Sequence, residues 1–171
     1  MAINLFVNET VGTTFKVCSD IVQFRTEARV QFIDLTELVK ERVRRSGVAH
    51  GLVNVHTKHT TTALVVNENE PLLLSDFKDL VERWAPCNAP YRHNDLQARG
   101  VQGALEERPN GHSHARALLL GMSASLNITE GRMNLGEFQR IFLVELDGVR
   151  TRSVSILILG LAAETEEESQ R

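Results

Sequence analysis

Between residues 14 and 35 apolar and polar positions alternate. Phe15 and Val17, then Ile21 and Phe24, then Val30 and Phe32 stand with polar residues among them. That period of two predicts two strands with a turn at Thr26-Glu27-Ala28. The period then lengthens. Leu35, Leu38, Val39 and Val43 fall at helical spacing, Asp34 and Glu37 resemble a capping box, and Gly47 supplies a stop, so a helix is predicted from about Leu35 to Ser46. Gly51–His56 alternates again and Thr61–Asn67 is rich in β-branched residues, which predicts two strands paired through Thr57-Lys58. A second helix is expected from Leu72 to about Arg83, with Pro71 in its first turn and Leu73, Phe77, Leu80, Val81 and Trp84 along one face.

From Ala85 to Gly111 the pattern is lost, apart from a helical run at 96–107; a connection this long in a small domain points to function or disorder. A third, short helix follows through Leu120, with Ser113 or Asn110 as its cap and Gly121 as its stop. Ser123–Ile128 and Ile141–Leu146 read as strands. Thr129–Arg132 reads as a hairpin turn, Asp147-Gly148 as a second one, and Val154–Leu159 as the strand that closes the sheet. This order predicts one α+β domain over residues 1–162, mainly an antiparallel β-sandwich with about three helices. The acidic stretch 163–171 has no apolar period and is expected to be disordered.

The 171 residues suffice for one hydrophobic core, and 42% apolar with 24% charged residues fits a globular domain. A net charge of −3 argues against a nucleic-acid partner. No apolar run approaches a membrane span, Met1-Ala2-Ile3-Asn4 opens no secretory signal, and Cys18 and Cys87 stand alone. The expectation is a cytoplasmic protein with reduced thiols and no membrane partner.

The candidate chemistry gathers at turns. Pro109-Asn110-Gly111-His112-Ser113-His114 places two imidazoles at a helix N-terminus, where free amides and the dipole favour an anion. His112 and His114 diverge by about 200° if both are helical, so they share a metal only if His112 precedes the helix. His56 and His59 flank one turn, His93 lies beside Asp95 in the long loop, and Glu68 follows the threonine-rich strand. Five histidines in three turn regions with two acids nearby suggest a shared metal or phosphate site. Glu68 could be a ligand or a general base, and Thr60 and Thr61 could donate to a phosphate. No nucleotide loop or nucleophile elbow is present.

His59-Thr60-Thr61, Asn67-Glu68-Asn69, Tyr91-Arg92-His93, Asn110–His114, Glu130-Gly131-Arg132, Leu135-Gly136, Gln139 and Glu145-Leu146-Asp147-Gly148 resemble, in order and spacing, the YjbQ-like family. This family is also called the secondary thiamine-phosphate synthase family, and the resemblance runs from about Thr14 to Gly160. It implies an α+β sandwich assembled as a homotrimer, with a site of histidines and acids holding a divalent metal (zinc or magnesium) or an anion. It also implies a weak synthase activity, in which thiazole phosphate displaces pyrophosphate from hydroxymethylpyrimidine diphosphate. Carried over, His59, His93 and His114 surround the metal or phosphate and Glu68 is a ligand or base; with the residues' own reading, His59, His93, His112 and His114 are the metal-ligand candidates and Glu68, His59 and Asp95 the catalytic ones. Thr60, Thr61, Asn110, Gly111 and Ser113 are the candidates to hold a small phosphorylated metabolite. Two positions depart from the family: Glu137-Phe138 replaces a common Thr-Trp, and His112 stands where Asp is common. A non-catalytic metabolite- or metal-binding protein and a zinc hydrolase using Glu68 are the rival readings.

Overall fold

The computed structural model describes residues 14–100 and 108–162. In chain order the elements are β1 (Phe15–Arg25), β2 (Gln31–Asp34), α1 (Thr36–Ser46), β3 (Val48–Thr57), β4 (Thr62–Glu68) and α2 (Pro71–Trp84). A single 3₁₀ turn (Arg92–Asn94) follows, then α3 (Gly111–Leu120), β5 (Ser123–Thr129), β6 (Arg132–Met133), β7 (Gln139–Glu145) and β8 (Thr151–Ala162). The strands form two antiparallel sheets, β1-β8-β3-β5-β6 and β2-β7-β4. The α+β sandwich with three α-helices expected from the pattern is the architecture found.

The core lies between the sheets. Val53, Val55, Val154, Ile156 and Ile158 of the larger sheet meet Leu64, Ile141 and Leu143 of the smaller one, and α1 adds Val39 and Val43. A second cluster, Phe142, Val144, Leu146, Ala63 and Ala117, fills the far side of β7 beneath α3. Strand β7 is therefore covered on both faces, which is why its sequence is a continuous apolar run instead of an alternation. No helix among the described residues is long and apolar enough to cross a membrane.

Three pairings differ from the sequence expectation. β3 and β4 are not partners: β3 lies between β8 and β5, β4 lies beside β7, and residues 58–61 carry the chain between sheets. Asp147-Gly148 joins strands of different sheets and makes no hairpin. Here the Glu145 carboxylate accepts the amides of Leu146, Asp147 and Gly148 at 3.0, 2.9 and 3.3 Å, so the turn winds around a buried acid. β8 lies inside its sheet, between β1 and β3, and does not close an edge. Period two fixes which face a residue occupies and says nothing about which strand lies alongside.

The caps also depart in detail. Asp34 accepts from the Thr36 amide at 2.8 Å, while Glu37 pairs with Lys40 instead of completing a capping box. Pro71 opens α2 as expected, with the Glu70 side chain accepting from Leu72 and Leu73. Glu130 (φ +51°) and Gly131 (φ +73°) make the expected two-residue turn between β5 and β6, whose left-handed geometry suits a hairpin. Residues 96–100 form turns, not a helix; 101–107 and the acidic stretch 163–171 lie outside the described residues.

Candidate functional site

The turn from β3 to β4 is clamped from two sides. Lys58 donates its amide to the Ser153 carbonyl at 3.1 Å, and the Ser153 amide donates to His59 Nε2 at 2.7 Å. Behind it, Arg152 and Glu145, 4% and 0% exposed, form a two-pronged ion pair with both contacts at 2.6 Å. Arg152 Nη2 also reaches Thr61 Oγ1 at 3.1 Å, and Thr26 Oγ1 donates to Glu145. Burial pushes Glu145 up, yet the Arg152 hydrogen bonds and the Asp147 and Gly148 amides outweigh it and hold the carboxyl below its usual range. Burial, with the Arg152 charge, also holds His59 below the ordinary histidine range, favouring a neutral ring.

In front of this clamp lies an open depression of about 450 Å³ lined by His56, Lys58, His59, Thr60, Met122 and Ser155. A second, of about 350 Å³, shares Thr60 and Met122 with it and adds His114, Ala117, Leu118 and Gly121. Thr60 is exposed between them, whereas Thr61 is buried with its hydroxyl engaged by Arg152. Of the two threonines expected to hold an anion, only Thr60 borders the depressions.

At the start of α3 the expectation is partly overturned. Asn110 stands at the N-cap but its side chain makes no cap bond. Instead Asn94 Oδ1 accepts from the Gly111 amide at 2.9 Å, and the amides of Ser113 and His114 bond to the Asn110 carbonyl. Ser113 Oγ donates to the Leu146 carbonyl at 2.7 Å. The groups of Gly111 and Ser113 that were to meet a phosphate are thus spent inside the protein. Gly111 is needed for another reason: a Cβ there would lie 2.5 Å from the Tyr91 Cβ.

The loop and the helix do bring two imidazoles together. The His93 and His114 rings stand 4.5 Å apart, edge to face, and His93 Nε2 is buried without a partner. His112 is 2% exposed, tilted against Tyr91 at 6.3 Å, with both ring nitrogens unpartnered, as is Asn110 Oδ1. Burial and the Arg116 charge hold His112 low. A metal, however, wants three or four converging ligands, and among the described residues no three His, Cys, Asp or Glu side chains are so arranged. His59 spends its Nε2 lone pair on Ser153. The described residues of one chain therefore bring no such ligand set together.

The expected acids line neither depression. Glu68 ends β4, ~20 Å along the strand from the Thr62 end where His59 sits, at about 3.3 Å per residue. Asp95 is exposed and accepts from the Ala98 amide, closing the 96–100 turns. Missed in the sequence were Glu145, Arg152, Ser153 and Lys58. The signal was there for two of them, since Glu145 and Arg152 are charges at inward positions of apolar strands.

Residues 20–161 match the family described as UPF0047 protein YjbQ-like. A UPF0047 protein of Methanothermobacter thermautotrophicus is 37% identical over 87% of this chain and 96% of that one. The UPF0047 protein YugU of Bacillus subtilis is 30% identical over 81% of this chain and 97% of its own length. Among solved structures, a YbjQ-like protein of unknown function from Sulfolobus solfataricus P2 superposes with a TM-score of 0.77 at 30% identity, covering 86% of this chain and 99% of that one. A yjbq/UPF0047 family protein of Clostridium acetobutylicum gives 0.71 at 34% identity, covering 81% and 98%. Sequence and fold agree along almost the full length of these proteins, and the chain belongs to the YjbQ-like UPF0047 family.

Proposed function

We propose that this chain binds a small phosphorylated molecule in the two joined depressions and carries a weak thiamine-phosphate-synthase-like transferase activity there. One observation supports this above the others. The polar side chains lining the two depressions are imidazoles (His56, His59, His114), the Lys58 ammonium and threonine and serine hydroxyls, with no carboxylate among them. Such a lining attracts an oxyanion and repels nothing negative. Each volume is within the range of a small-molecule site.

The proposed reaction asks little of the protein. A thiazole nitrogen attacks the methylene of hydroxymethylpyrimidine diphosphate, the carbon–oxygen bond breaks, and pyrophosphate leaves with the electron pair. Lys58 and the neighbouring donors would stabilise the charge gathering on the departing group. The step is written without a metal, since no three candidate ligands converge among the described residues. Assembly as a homotrimer and residence in the cytoplasm belong to the same proposal.

A non-catalytic phosphometabolite-binding protein is the second reading. What favours it is that neither Glu68 nor Asp95 lines either depression, so no carboxylate stands among their lining residues as a general base. The test is pyrophosphate release from the two substrates, run beside calorimetric titration with pyrophosphate, on wild type and Lys58→Ala. Release that falls at least tenfold in the variant supports the transferase. Pyrophosphate binding without turnover supports the binding protein, and neither binding nor turnover refutes the site.

A further inference from the structure

We infer that the Ser153 amide locks His59 as the tautomer protonated on Nδ1, making it a fixed hydrogen-bond donor to an oxyanion and not a metal ligand. A backbone N–H can only donate, so the nitrogen it meets at 2.7 Å must present a lone pair. In a neutral imidazole the single proton is then on the other nitrogen. Nδ1 makes no hydrogen bond among the described residues, and His59 borders the depression that also holds Lys58 and Thr60.

The lock is held from several directions. Lys58 N–H bonds to the carbonyl of the same Ser153, closing a two-bond clasp between the turn and β8. Arg152, the residue before Ser153, is immobilised by Glu145 and tied to Thr61. The Thr57 and Thr62 hydroxyls meet at 2.5 Å beneath the turn. Rotating the imidazole to offer Nε2 to a ligand would leave the Ser153 amide without its acceptor. Offering Nδ1 to a metal while Nε2 keeps its bond would need a ring stripped of both protons.

The donor role rests on the anion reading proposed above; the tautomer does not, and the experiment keeps them apart. The wild type, labelled with ¹⁵N-histidine, is studied at pH 8 by long-range proton–nitrogen correlation, with His59 assigned by its loss in His59→Asn. The expected pattern is a protonated Nδ1 and a bare Nε2. A protonated Nε2 overturns the proposal outright. Addition of zinc is expected to leave the His59 nitrogens in place, and a zinc-induced shift there also overturns it. Inorganic pyrophosphate is then expected to move the His59 Nδ1 signal. If pyrophosphate binds and that signal stays, or if none binds while the tautomer is as expected, the donor role falls; only the second result takes the anion reading with it.

Affinity supplies an independent readout. Asn places an amide N–H near the position of Nδ1, and Ala does not. His59→Asn is expected to bind pyrophosphate within about threefold of wild type, and His59→Ala ~10-fold or more weaker, the effect of one hydrogen bond to a charged group. Both variants lose the Ser153 acceptor, so a purely structural role would weaken the two alike, and equal weakening refutes the donor.

Discussion

Replacing Arg152 by Met tests whether the Glu145–Arg152 pair is the anchor of the site's supporting wall. The substitution keeps volume and removes the guanidinium. Glu145, which has no exposed surface, then keeps its amide donors and the Thr26 hydroxyl but loses both 2.6 Å contacts to Arg152. Breaking a buried pair from one side costs about 3–5 kcal/mol, because the remaining charge stays buried. The surviving amides at Leu146, Asp147 and Gly148 put the expected loss near the lower end, about 3 kcal/mol. For a chain of this size that is a fall in melting temperature of about 6–12 °C. Urea unfolding at pH 7 measures it, with unchanged slope as the sign that the transition is still two-state.

The double variant Glu145→Gln/Arg152→Met removes the orphaned charge and is expected to recover part of the loss, and a double as damaged as the two singles summed would deny the coupling. Acid provides a second handle. The folded carboxyl of Glu145 is held below its ordinary value of 4.5, so its stabilisation is complete above that value and is lost as pH falls through the folded one. The wild type should therefore shed stability below about pH 4.5 more steeply than the Arg152→Met variant. A loss in the single variant of under about 1 kcal/mol would refute the reasoning, since it would mean that Arg152 contributes no more than an exposed pair.

Two further substitutions address the corner between the loop and α3. His112→Leu removes two unpartnered buried nitrogens and should raise stability at neutral pH by about 1 kcal/mol in thermal or urea melts. The folded ring is held low by burial and then by Arg116, so its unfavourable share grows as pH drops below 6.5, and the gain from Leu should grow with it. A destabilised Leu variant would mean that His112 meets a partner in solution. Gly111→Ala puts a methyl 2.5 Å from Tyr91 Cβ, a clash expected to cost about 1–3 kcal/mol. Hydrogen exchange should localise the change to residues 91–95, and an unchanged loop would contradict the close approach.

The layers of the fold could be read from the chain because burial imposes a period. Val39 and Val43 at helical spacing, and Val154, Ile156 and Ile158 at every second position, each announce one covered face. Strand partnership could not be read, since the same alternation serves β8 as an edge or, as found, between β1 and β3. The histidines of the candidate site were visible by type and by turn, and the structure does bring His93 to His114. Their chemistry was not, because what an imidazole can do depends on which nitrogen the backbone has already taken. Ser153, the residue that takes one nitrogen of His59, is an ordinary serine in an ordinary strand, 94 positions away in sequence.

The acids make the same point with the opposite sign. Glu68 attracted a catalytic role by standing near histidines in sequence, yet a strand of seven residues carries it to the far end of the sheet. Glu145 attracted none, because it follows an apolar run and precedes a turn. It is nevertheless the carboxylate through which β7, the 146–148 turn, Thr26 and Arg152 are joined. A buried acid satisfied by amides and a guanidinium has no lone pair to spare for substrate chemistry. In the proposed site its part is therefore mechanical: it holds Arg152, Arg152 holds Thr61 and flanks Ser153, and Ser153 fixes His59. On this chain of contacts, weakening Glu145 should reach the depression as a loosened His59 before it unfolds the domain, so the His59 ring signals of Glu145→Gln should broaden at temperatures where its far-ultraviolet circular dichroism is still native. Loss of both together would leave Glu145 a stabiliser of the fold and nothing more.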